Sequence, residues 1–182
     1  MNCLVLVASV LPNNLKESKD MPAQLEIHNT LSELQQLAPA GFALAFHIRY
    51  TTPTFLFQTY AKDWLDYYSQ NGLVMSDPTV AWGFENTGVA RWSDLAAQDT
   101  AGVMSKAAEY GMPYGAVFAI EVAESRSLGS FARSDREFTE SEIERMQAAV
   151  AKLHDLTADL ERLSPETSAK LRTMSVQFTH SQ

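Results

Sequence analysis

At 182 residues with 46% apolar and 10% aromatic content, the chain can bury one core and little more. A formal charge of −8 and a pI near 4.9 exclude a surface built for phosphate backbones, which needs a basic stripe. Cys3 is the only cysteine, so no internal disulfide forms, and a reducing cytoplasm is the expected compartment.

Residues 1–12, MNCLVLVASVLP, lack a positive n-region and are too short to span a bilayer. With the polar residues 13–20 they read as an N-terminal extension over 1–20. From Met21-Pro22, Leu25, His28, Leu31, Leu34 and Leu37 recur at three-residue steps and predict an amphipathic helix ending before Pro39 and Gly41. Phe42, Leu44, Phe46, Ile48 and Tyr50 then alternate with Ala43, Ala45, His47 and Arg49, which predicts a strand with one apolar face. After the turn at Thr51-Thr52-Pro53, residues 54–59 should form a second strand, antiparallel to the first.

Tyr60, Trp64 and Tyr68 follow at four-residue spacing, placing three large aromatics on one helical face that Asn71-Gly72 should terminate. Asp77-Pro78 opens a short helix over 77–84, residues 85–90 read as a loop, and 93–110 carry helical spacing up to Gly111. Residues 114–122 and 128–132 read as strands of a hairpin around a turn at 124–127. Thr139-x-x-Glu142 is a capping box. It opens a long helix whose buried face should be Ile143, Met146, Val150, Leu153, Leu156, Leu160 and Leu163. Ser164-Pro165-Glu166 begins one more short helix. Strands joined by short turns, with helices before, between and after, predict an α-β-α sandwich built on an antiparallel sheet.

No constellation for catalysis stands out. His28, His47, His154 and His180 have no ligand spacing, and no glycine-rich phosphate loop or Gly-x-Ser-x-Gly elbow occurs. No metal and no cofactor is expected. The acids Asp135, Glu137, Glu140, Glu142 and Glu144 crowd a helix start, where the helix dipole accounts for them. The aromatic face reads equally well as plain core, and Asp77-Pro78 as a plain N-cap with proline at N1. An apolar wall carrying a phenol, an indole N–H and one carboxylate also suits a mostly apolar small molecule with an amide and a carbonyl or two.

Taken together, Tyr60-x-x-x-Trp64-x-x-x-Tyr68, then Ser76-Asp77-Pro78-Thr79-Val80, then Trp92 resemble the autoinducer-binding domain of LuxR-type quorum-sensing regulators. The passage from Glu109 through Tyr110-Gly111-Met112-Pro113-Tyr114 to Gly115 is similar to that family's helix-to-strand junction. The resemblance implies an autoinducer-binding domain over 21–163, PAS/GAF-like, with a central five-stranded antiparallel sheet. It also implies an N-acyl homoserine lactone between sheet and aromatic helix. Trp64 would donate to the lactone carbonyl, Asp77 would accept the amide N–H, and Tyr60 would bond the acyl carbonyl. Tyr68, Thr79, Val80, Trp92, Val117, Ala132, Phe46, Ile48 and Tyr50 would line the pocket.

Some members carry hydroxyls where Ala132 and Val117 align here, and often a proline near Val89; those changes bear on which acyl chain fits. Residues 164–182 resemble only the opening of a helix-turn-helix domain, so no DNA binding by this chain is expected. The expected partners are the lactone and a homodimer mate or a LuxR-type regulator, with no membrane. The rival readings are a ligand-free protein that heterodimerises with and inhibits a full-length regulator, an enzyme acting on the lactone, and a PAS- or GAF-like cofactor sensor.

Overall fold

The computed structural model describes residues 14–158, with side chains from Ala23 onward, together with Ala169 and Thr173. Five strands form one antiparallel sheet: β1 (Gly41–Ile48), β2 (Phe55–Gln58), β3 (Gly88–Arg91), β4 (Tyr114–Val122) and β5 (Ser125–Arg133), in spatial order β2-β1-β5-β4-β3. Helices α1 (Asn14–Leu37) and α6 (Glu140–Ala158) cover one face. The other face carries α2 (Lys62–Gln70), α3 (Pro78–Glu85), α4 (Trp92–Leu95) and α5 (Val103–Glu109). The layers are those of an α-β-α sandwich.

The two faces differ in how they are filled. Between the sheet and α1/α6 lies a continuous core holding Phe42, Phe46, Phe55, Phe57, Phe118 and Phe131, all essentially inaccessible to solvent. Each such ring contributes about 1.5–3 kcal/mol of burial, so this layer dominates the stability of the fold. Helix α1 presents Ile27, Thr30, Leu31, Leu34 and Leu37 to that core, while Leu25 is 61% exposed and His28 is exposed. A strict three-residue step falls about 60° short of a full turn each time, so the leucines at 25 and 37 cannot share a face. The helix also begins at Asn14, within the 1–20 segment expected to be an N-terminal extension.

The end of β1 departs from simple alternation. Ala45 pairs with Leu128 but Ile48 pairs with Arg126, so β1 spends three residues where β5 spends two. This bulge is centred on His47, whose φ is +53°. Phe46 and His47 consequently both turn toward α6, and Ile48 is thrown to the opposite face. Beyond it Tyr50, at φ +58°, sits in the hairpin turn and is 99% exposed.

Three other expectations change. The loop expected at 85–90 contains most of β3, an edge strand too short and too evenly half-buried to show alternation. The single helix expected over 93–110 is broken at Asp99–Gly102, where the Asp99 carboxylate accepts from the backbone N–H of Val103, Met104 and Ser105 and starts α5. The β4–β5 turn is tighter than expected, with only Ala123 and Glu124 between the strands. The capping box at Thr139 and Glu142 forms reciprocally, at 2.8 and 3.3 Å. Leu160, Leu163, the expected helix after Ser164 and the segment 1–12 lie outside the described residues.

Candidate ligand-binding site

A cavity of about 530 Å³ opens between the sheet and α2, α3 and α5, within the size range of small-molecule sites. Its floor is laid in rows by strand register. At the closed end, Gly41, Ala132 and Gly115 pair side by side, and the rings of Tyr60 and Trp92 rest on them. A Cβ at Gly41 would lie 2.7 Å from Tyr60 Cδ1 and 2.9 Å from its backbone, and one at Gly115 would lie 2.2 Å from Trp92 Cδ2. The next row is Gln58, Ala43, Ser130 and Val117; the one after it is Leu56, Ala45 and Leu128. Past the bulge, Ile48 with Thr51, Pro53, Val74 and Phe84 forms the mouth.

Tyr60 precedes α2, whose N-cap is Ala61, yet its ring joins Trp64 and Tyr68 along the wall. Asn71 and the left-handed Gly72 end that helix as expected. Trp64 is 5% exposed and packs on Tyr68 and Tyr110 at 5.5 and 5.4 Å between ring centroids. No protein acceptor is found for its indole N–H among the described residues. Trp92 borders the cavity too, but its own indole N–H is buried and has no partner among the described residues.

Asp77 is both a cap and a wall. Its Oδ1 accepts from the Thr79 backbone N–H at 2.8 Å and from Thr79 Oγ1 at 2.7 Å, with Pro78 at N1 of α3. Its Oδ2 accepts from Tyr68 Oη at 2.9 Å. A carboxylate offers about four lone-pair directions, so one remains, on Oδ2. Tyr60 Oη donates to the Ser130 carbonyl at 2.9 Å, which commits its proton to the protein. Burial pushes the Tyr60 phenol well above the ordinary range, against the Ser130 contact and helped by the Asp77 charge. Burial does the same to Tyr68, followed by the adjacent Asp77 carboxylate. Both phenols are therefore held as O–H groups.

Of the residues expected around a ligand, Tyr60, Trp64, Tyr68, Asp77, Thr79, Val80, Trp92, Val117 and Ile48 border this cavity. Phe46 does not. Alternation keeps it with Phe42 and Leu44 in the solid core on the far side of the sheet, fully buried. Ala132 is buried beneath Tyr60 and Trp92 rather than on the wall, and Tyr50 is in solvent. Among the wall positions that were not anticipated are Ser130, Leu128 and Gln58. Period-two counting back from Ala132 gives Ser130 and Leu128, so the signal was present in β5 once its inner face was known. Ser130 supplies a hydroxyl two residues from Ala132, where none was expected.

A family profile described as "Autoinducer binding domain" matches residues 33–156. The chain belongs to the autoinducer-binding family of LuxR-type regulators. The transcriptional activator protein SolR of Ralstonia nicotianae is 28% identical over 123 residues, covering 64% of this chain. This chain spans about half the length of that relative, 52%. SdiA of Escherichia coli is similar in fold, with a TM-score of 0.60 at 21% identity over 76% of this chain and 62% of its own. A second SdiA structure, in complex with octanoyl-rac-glycerol, gives 0.60 at 19% identity over 84% and 69%. CepR2 of Burkholderia cenocepacia, an N-acylhomoserine lactone dependent LuxR family factor, gives 0.52 at 16% identity over 78% of this chain and 98% of its own.

At those identities the structures establish the fold of the autoinducer-binding domain and not its guest. The family is one of ligand-binding regulators and not of enzymes. Among the described residues, no helix is long and apolar enough to cross a membrane. None of their acidic, His or Cys side chains cluster in threes suited to a metal ion.

Proposed function

We propose that this autoinducer-binding domain is a cytoplasmic sensor for an N-acyl homoserine lactone or a close amphipathic relative. The observation that carries the reading is the polar end of the cavity. Among the described residues, one unused acceptor direction on Asp77 Oδ2 and one donor without a partner on Trp64 border a mostly apolar hollow. An amide N–H satisfies the first and a ring carbonyl the second. Together two such bonds contribute about 2–4 kcal/mol, and the acyl chain adds about 0.8 kcal/mol per buried methylene. Tyr60 bonds an acyl carbonyl only by releasing the Ser130 carbonyl; otherwise it serves as the closed end.

The site reads occupancy and does not transform its guest. Its phenols stay protonated, and three of Asp77's four acceptor directions are already filled. The occupied domain would act by pairing with a second copy or with a full-length LuxR-type regulator. Net charge −8 leaves DNA contact to that partner.

The test is thermal unfolding of the full chain with and without N-acyl homoserine lactones. Ligand at a hundredfold excess over its dissociation constant stabilises by about 2.7 kcal/mol, a rise of several degrees. Trp64→Phe and Asp77→Asn should each remove most of that rise. A well-folded protein whose melting is indifferent to every lactone would end this reading.

A further inference from the structure

We propose that the cavity measures the tail of its guest. It takes an unbranched acyl chain of about ten to twelve carbons, the last of which emerge at the mouth. The proposal rests on the amphipathic guest inferred above and fixes the part of that guest the polar end does not see.

Strand register sets the direction. The aromatic rings of Tyr60 and Trp92 close one end over the Gly41, Ala132, Gly115 row. Asp77 lies at the start of α3 on that side, close enough to act electrostatically on the Tyr60 phenol. Phe84, near the other end of α3, is at the mouth, and neighbouring Gly83 lies over Leu128. A head group held by Asp77 and Trp64 must therefore run its tail along β1 from Ala43 toward Ile48.

The distance follows from the backbone. Five residues from Ala43 to Ile48 at about 3.3 Å each, shortened by the bulge, give a lane of about 13–16 Å. An extended alkyl chain advances about 1.25 Å per carbon, the projection of a bond of about 1.5 Å, so the lane holds about ten to twelve carbons.

The floor of the lane is kept low by Ala43 and Ala45, whose cross-strand partners Gln58 and Leu56 are larger. Among the described residues, those at the far end leave it open. Thr51 is exposed, Val74 is 49% exposed and Phe84 40%, and these side chains ring the opening. A tail longer than the lane gains little and loses little.

Titration calorimetry on the full chain, with N-acyl homoserine lactones from butanoyl to hexadecanoyl, tests this. Affinity should climb by up to about fourfold per methylene until dodecanoyl and then level off. Ala45→Phe fills the lane; it should weaken dodecanoyl binding by about thirtyfold or more while leaving butanoyl within about threefold. Ala45→Val is the milder companion, should the larger ring compromise folding, and should weaken dodecanoyl binding by a smaller factor while again sparing butanoyl. An optimum at hexanoyl or shorter, a steep fall beyond dodecanoyl, or an equal loss at every length in Ala45→Phe would overturn the proposal.

A parallel series of 1-acyl-glycerols separates the two ideas. If the glycerols show the same length ladder and no lactone binds, the tail assignment stands and the lactone head group falls. If neither series binds, both fall.

Discussion

Tyr68 Oη donates to Asp77 Oδ2 at 2.9 Å while the other oxygen of the same carboxylate holds the first turn of α3. One side chain thus starts the helix that roofs the cavity and sets how much hydrogen-bonding capacity a guest meets. Asp77→Ala should remove the cap and leave the phenol unpaired, costing about 2–3 kcal/mol in urea unfolding. Tyr68→Phe loses only the second contact, about 1 kcal/mol. A double mutant whose loss equals the sum of the two single losses would show that the pair is not coupled.

Gly115 is small because Trp92 needs the space. Its missing Cβ would sit 2.2 Å from Cδ2 and 2.3 Å from Cε2 of that indole. Gly115→Ala should destabilise by about 1–3 kcal/mol and red-shift Trp92 emission as the ring is levered off the sheet. Trp92→Phe in the same chain should return part of that loss, because a smaller ring clears the methyl. No recovery would mean that the strain lies in the strand and not in the ring.

The β4–β5 turn places Ala123 at φ +48° and Glu124 at φ +63°, the backbone of a type I′ hairpin that favours Asn-Gly. Replacing the pair by Asn-Gly should raise stability by about 1 kcal/mol, read as a higher urea midpoint with an unchanged slope. An unchanged midpoint would show that the wild-type turn carries no strain.

Acid should weaken the fold through His47. Its Nδ1 lies 2.7 Å from Ser125 Oγ, its Nε2 lies 2.8 Å from Thr157 Oγ1, and the ring of His154 is 4.6 Å away. Burial first, and then the neighbouring His154, lower the His47 pKa from 6.5 to about 4; His154 is lowered too, by burial. The unfolded chain takes up a proton below about pH 6.5 that the folded chain refuses until about pH 4. Stability is therefore complete above the upper value and drains away as pH falls through that window. The loss should be roughly 2 kcal/mol between about pH 7 and about pH 4, and His47→Gln should flatten it. Equal slopes in urea titrations of wild type and variant would rule His47 out.

What could be foreseen from residue types was whatever depends on short-range rules. The Asp77-Pro78 start, the Asn71-Gly72 stop and the Thr139–Glu142 box are local chemistry, and each took its expected form; of the aromatics at 60, 64 and 68, the last two lie on α2 and Tyr60 just before it. What escaped depends on pairing partners distant in sequence. The bulge at His47 is visible only once Ala45 and Ile48 are seen opposite Leu128 and Arg126; it carries Ile48 to the cavity face, while Phe46 stays with Phe42 and Leu44 in the core. Strand β3 exists because β4 offers it an edge, not because Gly88–Arg91 has a strand pattern. Ser130 was passed over because the inner face of β5 was anchored on Ala132 alone.

The sheet separates a packed layer from a hollow one. The phenylalanines facing α1 and α6 pack against one another, whereas α2, α3 and α5 border a cavity of about 530 Å³. Amide exchange should therefore be lopsided: slow and indifferent to added lactone along α6, faster and ligand-responsive along α3. A guest bound as proposed would stiffen one side only, and any mate that distinguishes loaded from empty would have to feel that side or its seams.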